Sequence, residues 1–329
     1  PRHNPFFAHA DAELFLAWRD GAVVGRIAAI DDRLHRETHQ DNVAMFGFFE
    51  AADLPAAASL FAEAETWARR RGRTGLRGPF NPSLNESAGL LIDGFETDSM
   101  LLMPHNPREY AAWIEACGYR KLKDLFAWLY ELTPAVAPVI AKLAARARDK
   151  HGIQVRPLHL AEFQREVAWL REVYCGAWRD NWGFVAPTPA EFERLARELK
   201  PIFDARGAVC AEVDGRPIAC ALALPDINQA LKGTDGRLFP LGLVRLLARS
   251  RIIDQARLLL LGVLPDARHL GLYPVLLEAL HRQMSGTRYR RIEFSWVLED
   301  NRDINQPAEM AGATRYKTYR LYEKRLVGQ

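Results

Sequence analysis

A chain of 329 residues, 49% of them apolar, is long enough for about two domains and too rich in core formers to be disordered. Its formal net charge of +3 provides no electrostatic footprint for general nucleic-acid binding, so no nucleic-acid partner is expected. Cys117, Cys175, Cys210 and Cys220 are scattered without C-x-x-C spacing, which reads as reduced core thiols of a cytoplasmic protein, not a disulfide frame or a metal site. No apolar run approaches the roughly 18 residues needed to span a bilayer, and no signal peptide is visible.

The chain opens with a hairpin. Residues 14–19 and 23–30 are strand-like runs joined by Asp20-Gly21, a two-residue turn signal. Residues 45–49 make another strand. Residues 54–71 form an amphipathic helix with Leu60, Phe61, Ala64 and Trp67 on one face, stopped by Gly72. A short strand at 75–80 is followed by a long irregular segment rich in Asn, Pro and Gly. Pro107 opens a helix closed at Gly118, and 125–130 is a last strand. Thr133-Pro134 breaks that strand, and a basic, Ala-rich helix reaches Asp149. Residues 208–213 and 218–224, joined by Asp214-Gly215, then repeat the opening hairpin. The two Asp-Gly turns lie 194 positions apart, as do Gly118 and Gly312, Lys123 and Lys317, and Trp128 and Tyr322. A constant offset at four places indicates duplication of one fold. Each half reads hairpin–strand–helix–strand–helix–strand, which predicts an α/β mixed sheet with helices on both faces. The expected division is an N-terminal domain at 1–132, a linker helix at 133–152 and a C-terminal domain at 153–329.

Residues 257–282 are the most informative stretch. An apolar run ended by Pro265 suits a buried strand. Val275, Leu276, Ala279 and Leu280 then recur at helical spacing, with Pro274 acceptable in the first turn. Between them sits a basic turn with Arg268, His269 and Gly271. Free N–H groups at a helix start, with the positive end of the helix dipole, can hold a phosphate. The turn has neither G-x-x-x-x-G-K-[ST] nor G-x-G-x-x-G. The matching corner of the first half, 50–54, is Glu-Ala-Ala-Asp-Leu, acidic where a pyrophosphate needs donors. The anion site is therefore expected in the second half alone.

Val263-x-Pro265 followed by Arg268-x-x-Gly271-x-Tyr273 resembles the acyl-CoA loop of the GNAT superfamily of N-acetyltransferases, Q/R-x-x-G-x-G/A, with Tyr273 replacing the final small residue. The element order of each half is also that of this superfamily. The resemblance covers most of the chain twice and implies two tandem GNAT-like folds. It implies donor contacts from Gly262, Val263, Arg268, His269, Gly271, Leu272, Tyr273 and Asn301, with acyl-CoA or an acyl-carrier thioester (acyl-ACP) as donor substrate and no metal. In such enzymes two adjacent parallel strands splay apart at an Asn-containing turn, and the thioester enters the gap. Residues 291–301, ending in Asn301, match that strand and turn, and 316–324 resembles the closing strand. Many members carry a tyrosine seven residues after that Asn to protonate the leaving thiolate. Here that residue is Ala308, so water or another group must serve, with Tyr273, Tyr316 and Tyr319 as candidates by type. A general base for an amine could be Glu293, Glu299, Asp300 or His281, a carboxylate serving if burial raises its pKa. The expected catalytic set is Glu293, Glu299, Asn301 and Tyr319.

The acceptor wall is expected at residues 174–188, after the first helix of the second half. Trp178, Asn181, Trp182 and Phe184 would line it, with Phe46 and Phe48 and the polar Asn81, Asn85 and Glu86 from the first half. An insertion at 238–253, with a broad apolar face and Arg245, Arg249 and Arg251, suits a membrane surface or a cover over an acyl chain. Packing and solvated arginines are the plain alternatives for both segments. Gly47-Phe48-Phe49-Glu50, Asn181-Trp182-Gly183-Phe184 and residues 295–301 are similar to a bacterial family of long acyltransferases that includes ceramide synthases. That likeness implies N-acylation of a long-chain, sphingoid-like amine. The implied partners are a small-molecule or lipid amine, an acyl carrier protein and peripheral contact with a membrane. The rival readings are a non-catalytic duplicated fold that binds a ligand or partner, and an aminoacyl transferase of the peptidoglycan-bridge type. The latter would need a charged tRNA, which the weak net charge disfavours.

Overall fold

The computed structural model describes residues 4–234, 244 and 248–326. The strands are β1 (Ala10–Arg19), β2 (Ala22–Asp32), β3 (Val43–Ala51), β4 (Gly75–Gly78), β5 (Leu90–Asp93), β6 (Arg120–Glu131), β7 (Gln154–Arg156), β8 (Ala208–Val213), β9 (Arg216–Pro225), β10 (Gln255–Val263), β11 (Arg291–Leu298) and β12 (Thr314–Arg325). The helices are α1 (Arg33–His39), α2 (Leu54–Arg70), α3 (Glu109–Ala116), α4 (Pro138–His151), α5 (Phe163–Trp178), α6 (Pro189–Leu199), α7 (Asn228–Leu231), α8 (Arg249–Ile252), α9 (Leu272–Met284) and α10 (Arg302–Met310).

The strands form one mixed sheet in the order β1-β2-β3-β4-β12-β6-β11-β10-β9-β8-β7, with β5 also pairing β12. The last strands of the two halves are exchanged. β6, from the first half, pairs antiparallel with β11, while β12 pairs with β4 and β5 of the first half and with β6 itself. The duplication is visible in backbone detail. Asp20 and Gly21 have φ of 50° and 77°, Asp214 and Gly215 have 52° and 75°, and the helix-ending Gly118 and Gly312 have 89° and 87°.

Strand alternation builds two cores around the second half. Val209, Ala211, Ala219 and Ala221 face α4 and α9, whereas Cys210, Cys220, Leu222 and Leu260 face α5 and α6. In the first half α2 and α3 cover one face of β2–β4. The irregular segment that follows β4 contributes to the core on the other face through Phe80, Met100 and Met103. Among the described residues no helix is long and apolar enough to cross a membrane.

Two expectations change. Tyr174 to Trp178 form the end of α5 and do not follow it, because Val167, Leu170, Val173 and Tyr174 carry the helical stripe to that point. Helix α6, which the sequence reading omitted, starts at a capping box between Thr188 and Glu191. The insertion read at 238–253 falls mostly outside the described residues, Arg245 included.

Candidate active site

β10 and β11 pair in parallel only from Gln255↔Arg291 to Leu258↔Phe294. Beyond that point β10 stays with β9 as far as Val263, while β11 shifts register against β6 between Phe294 and Val297. The two strands therefore part, and their separation opens into a cavity of about 400 Å³. Leu258, Leu259, Leu260 and Leu261 line it from β10, and residues 294–298 from β11. Helices α5 and α6 form the far wall with Val167, Leu170, Trp178, Phe192 and Leu199. The first half closes it with Asn81, residues 83–87 and Leu102. Gly262 lets Trp178 lie against β10, since a Cβ there would come within 2.5 Å of the indole.

A charged cluster sits where the strands part. Arg257 and Ser295 line the cavity, and Glu293 lies behind them with 0% exposure. Arg257 Nε donates to Ser295 Oγ at 2.8 Å, Nη2 to Ser295 O at 3.2 Å and Nη1 to Leu101 O at 2.9 Å. The hydroxyls of Ser295 and Tyr316 both donate to Glu293, one to each carboxylate oxygen. Arg257 Nε stands 4.0 Å from Glu293. Burial pushes Glu293 up even though Arg257, Ser295 and Tyr316 favour its charged form. Burial likewise raises Tyr316 and Tyr319. Tyr319 is fully buried, and its hydroxyl has no hydrogen-bond partner among the described residues.

The donor corner follows β10. Residues Pro265–Leu270 form a 3-10 turn, Gly271 takes φ of 71°, and α9 starts at Leu272 with no side chain capping it. Its first N–H groups thus have no side-chain acceptor, the arrangement in which a helix start can hold an anion. Arg268 Nη2 donates to Ala177 O at 2.9 Å and Nη1 lies 3.7 Å from Asp180, so the side chain also ties the corner to the end of α5. His269 is exposed, and Tyr273 is half-buried with its phenol raised by burial. Val263 and Leu272 are core residues, so what they can offer a donor is backbone.

The remaining candidates divide. Asn301 lines the cavity at the start of α10, but its side chain makes no cap bond. Asn305 instead holds the turn, donating to Leu298 O at 3.0 Å and accepting from Trp128 Nε1 at 2.9 Å. Glu299 pairs with Lys121 at 2.7 Å and accepts from Asp124 N at 3.1 Å, a contact between β6 and the turn after β11. Asp300 pairs with Lys123 at 2.8 Å. His281 is buried against Tyr130, away from the cavity lining. Ala308 is 1% exposed in the core. Trp178 and Asn181 line the cavity. Trp182 lines a small neighbouring pocket, and Phe184 packs edge-on against Tyr174. Phe46 is in the first-half core against Phe61 and Tyr119, because its face of β3 meets α2. Phe48 is 40% exposed, its N–H held by Asn81 Oδ1 at 2.6 Å. Arg257 and Ser295 were not singled out from sequence. Their signals were an arginine inside an apolar strand, and Glu293-x-Ser295 at the spacing that puts both side chains on one strand face.

No family model matches the chain. It is 40% identical over 334 residues to "Bacterial ceramide synthase" from Caulobacter vibrioides, covering 99% of this chain and 87% of that protein. It is 37% identical over 331 residues to "Protein YghO" from Escherichia coli K12, covering 98% and 84%. Among solved structures, a tandem GNAT protein from the clavulanic acid biosynthesis pathway superposes with a TM-score of 0.56 at 13% identity, covering 98% of this chain and 85% of the other. A GCN5-related N-acetyltransferase from Sphaerobacter thermophilus gives a TM-score of 0.53 at 13% identity, over 96% and 81%. The splayed strands and the uncapped corner thus sit in a tandem GNAT fold, and the chain belongs to the acyltransferase family of the bacterial ceramide synthase.

Proposed function

We propose that this acyltransferase moves a long acyl group from a CoA or acyl-carrier thioester to the amine of a long-chain, sphingoid-like acceptor. The phosphate-bearing arm of the donor lies along the α9 corner, and the thioester enters where β10 and β11 part. The observation that carries the reading is the cavity of about 400 Å³, walled by leucines of β10 and the apolar faces of α5 and α6. An acetyl group and a small amine would leave most of it unfilled. Each methylene buried there contributes about 0.8 kcal/mol before ordering costs. The name of the Caulobacter relative supports a lipid amine. A cytoplasmic enzyme that meets its acceptor at a membrane surface fits this reading.

The test is a matrix of donors and amines, each in short and long versions, read as amide formed and thiol released. Catalytic efficiency should climb with chain length on at least one side. A flat profile on both sides would replace the lipid reading with a small soluble amine. Parallel titration of acyl-CoA and acyl-carrier donors decides which thioester is used.

A further inference from the structure

We propose that Ser295 is a catalytic residue that takes the proton from the attacking amine while passing its own to Glu293. This rests on the N-acyl transfer proposed above but not on the length of either chain. The direction of the relay follows from donor and acceptor chemistry. A guanidinium has only N–H donors, so at the 2.8 Å contact Arg257 gives and Ser295 Oγ accepts. The serine hydrogen is thereby left to Glu293, which as a carboxylate only accepts. Oγ keeps one further lone pair, and Ser295 is the member of the Ser295–Glu293 pair that lines the cavity. Glu293 has no exposure and no place in the cavity lining, so it reaches an amine through the hydroxyl. Leu101 O and Ser295 O hold the guanidinium in place.

The step balances. The neutral amine attacks the thioester carbonyl carbon, the C–N bond forms and the C–S bond breaks. One amine proton goes to Ser295 Oγ as the serine proton goes to Glu293. The same path returns a proton to the departing thiolate, leaving amide and free thiol. Arg257 on β10, Asp226 after β9, and Tyr316, Lys317 and Tyr319 on β12 all face Glu293. Burial keeps its affinity for a proton above that of an ordinary carboxylate, as a base must have to hold one in transit.

The experiment uses the full chain with the best amine–donor pair from the matrix. Ser295→Ala should lower kcat by about 100-fold or more, with donor Kd and melting temperature close to the parent. Ser295→Thr, which keeps the hydroxyl, should recover most of the loss. In Glu293→Gln the acidic limb of the kcat/KM–pH profile, with KM expressed as the concentration of neutral amine, should disappear. Ser295→Ala within a few-fold of the parent, or an acidic limb surviving in Glu293→Gln, would overturn the relay. So would an acyl mass shift on Ser295 after mixing with donor alone, which would make the serine a nucleophile. If Ser295→Ala fails to fold, the threonine variant and the Glu293→Gln profile decide. A flat chain-length profile in the parent sinks the lipid reading and leaves this test standing.

Discussion

The two halves place the same corner in the same fold and finish it with opposite charges. After β3, Asp53 caps α2, accepting from Ala56 N at 2.9 Å, and Arg19 closes on it at 2.5 and 2.9 Å. That carboxylate is held down to about 2, first by its bond to Arg19. After β10, Gly271 leaves the start of α9 without a side-chain cap, with Arg268 and His269 beside it. One helix carries its own anion, and the other has no side-chain acceptor at its start. The two copies thus differ in the connection from strand to helix, which is Ala52-Asp53 in the first and residues 264–271 in the second. The first half still reaches the site, but from the side, through Leu102 and the loop that carries Asn81, Asn85 and Glu86.

The largest effect should come from making the second corner resemble the first. Gly271→Asp places a carboxylate where the donor phosphate is expected, at a position whose φ of 71° strains aspartate less than most residues and where a Cβ meets only Ala147 at 3.7 Å. Losing a charge-assisted contact should weaken donor binding roughly 10- to 100-fold while the protein stays folded. Unchanged affinity by calorimetry would erase the distinction between the corners. The next effect concerns the first half's own contribution to the cavity. Burial pushes Glu86 up from 4.5 to about 7, and Glu191 adds to the shift. A raised folded-state pKa means that the folded protein holds this proton more tightly than the unfolded chain does. The stability it contributes is complete below about 4.5 and is lost as pH rises through about 7. Glu86→Gln should flatten the melting-temperature profile across that window. An equally steep profile in the variant would show that the loop is more solvated than its position implies. The smallest effect belongs to Asp53→Ala. Loss of an N-cap should lower the melting temperature by a few degrees at most, the exposed Arg19 pair adding little. Donor affinity should not move, and a clear loss would give the first corner a binding role.

What the sequence disclosed was what local chemistry enforces. Asp20-Gly21 and Asp214-Gly215 need positive φ at both residues, so the repeat was legible from two dipeptides. The run after Arg257 and the break at Pro265 marked β10 and the corner behind it. Pairing between distant strands has no such local signature. Nothing in residues 120–131 distinguishes a strand that pairs with β11 from one that pairs with β4, so the exchange of β6 and β12 was invisible. The site was half legible for the same reason. Glu293 could be named by type, whereas its link to the cavity depends on Arg257, 36 positions earlier, and on where the strands part. Glu299 looked equivalent to Glu293 in sequence, and only the neighbouring Lys121 on β6 makes it an ion pair across strands.

The exchanged strands also bear on how the molecule is made. β4 pairs with β12, which is synthesised only after everything that lies between them, so the first half cannot complete its sheet until the second has been made. Until then β6 and β4 present open edges, and the nascent chain has to shield them from other chains. Cutting between the halves would leave each without the strand that the other supplies. A fragment spanning the donor corner alone should therefore aggregate instead of folding, and the two fragments should regain solubility when they are produced together.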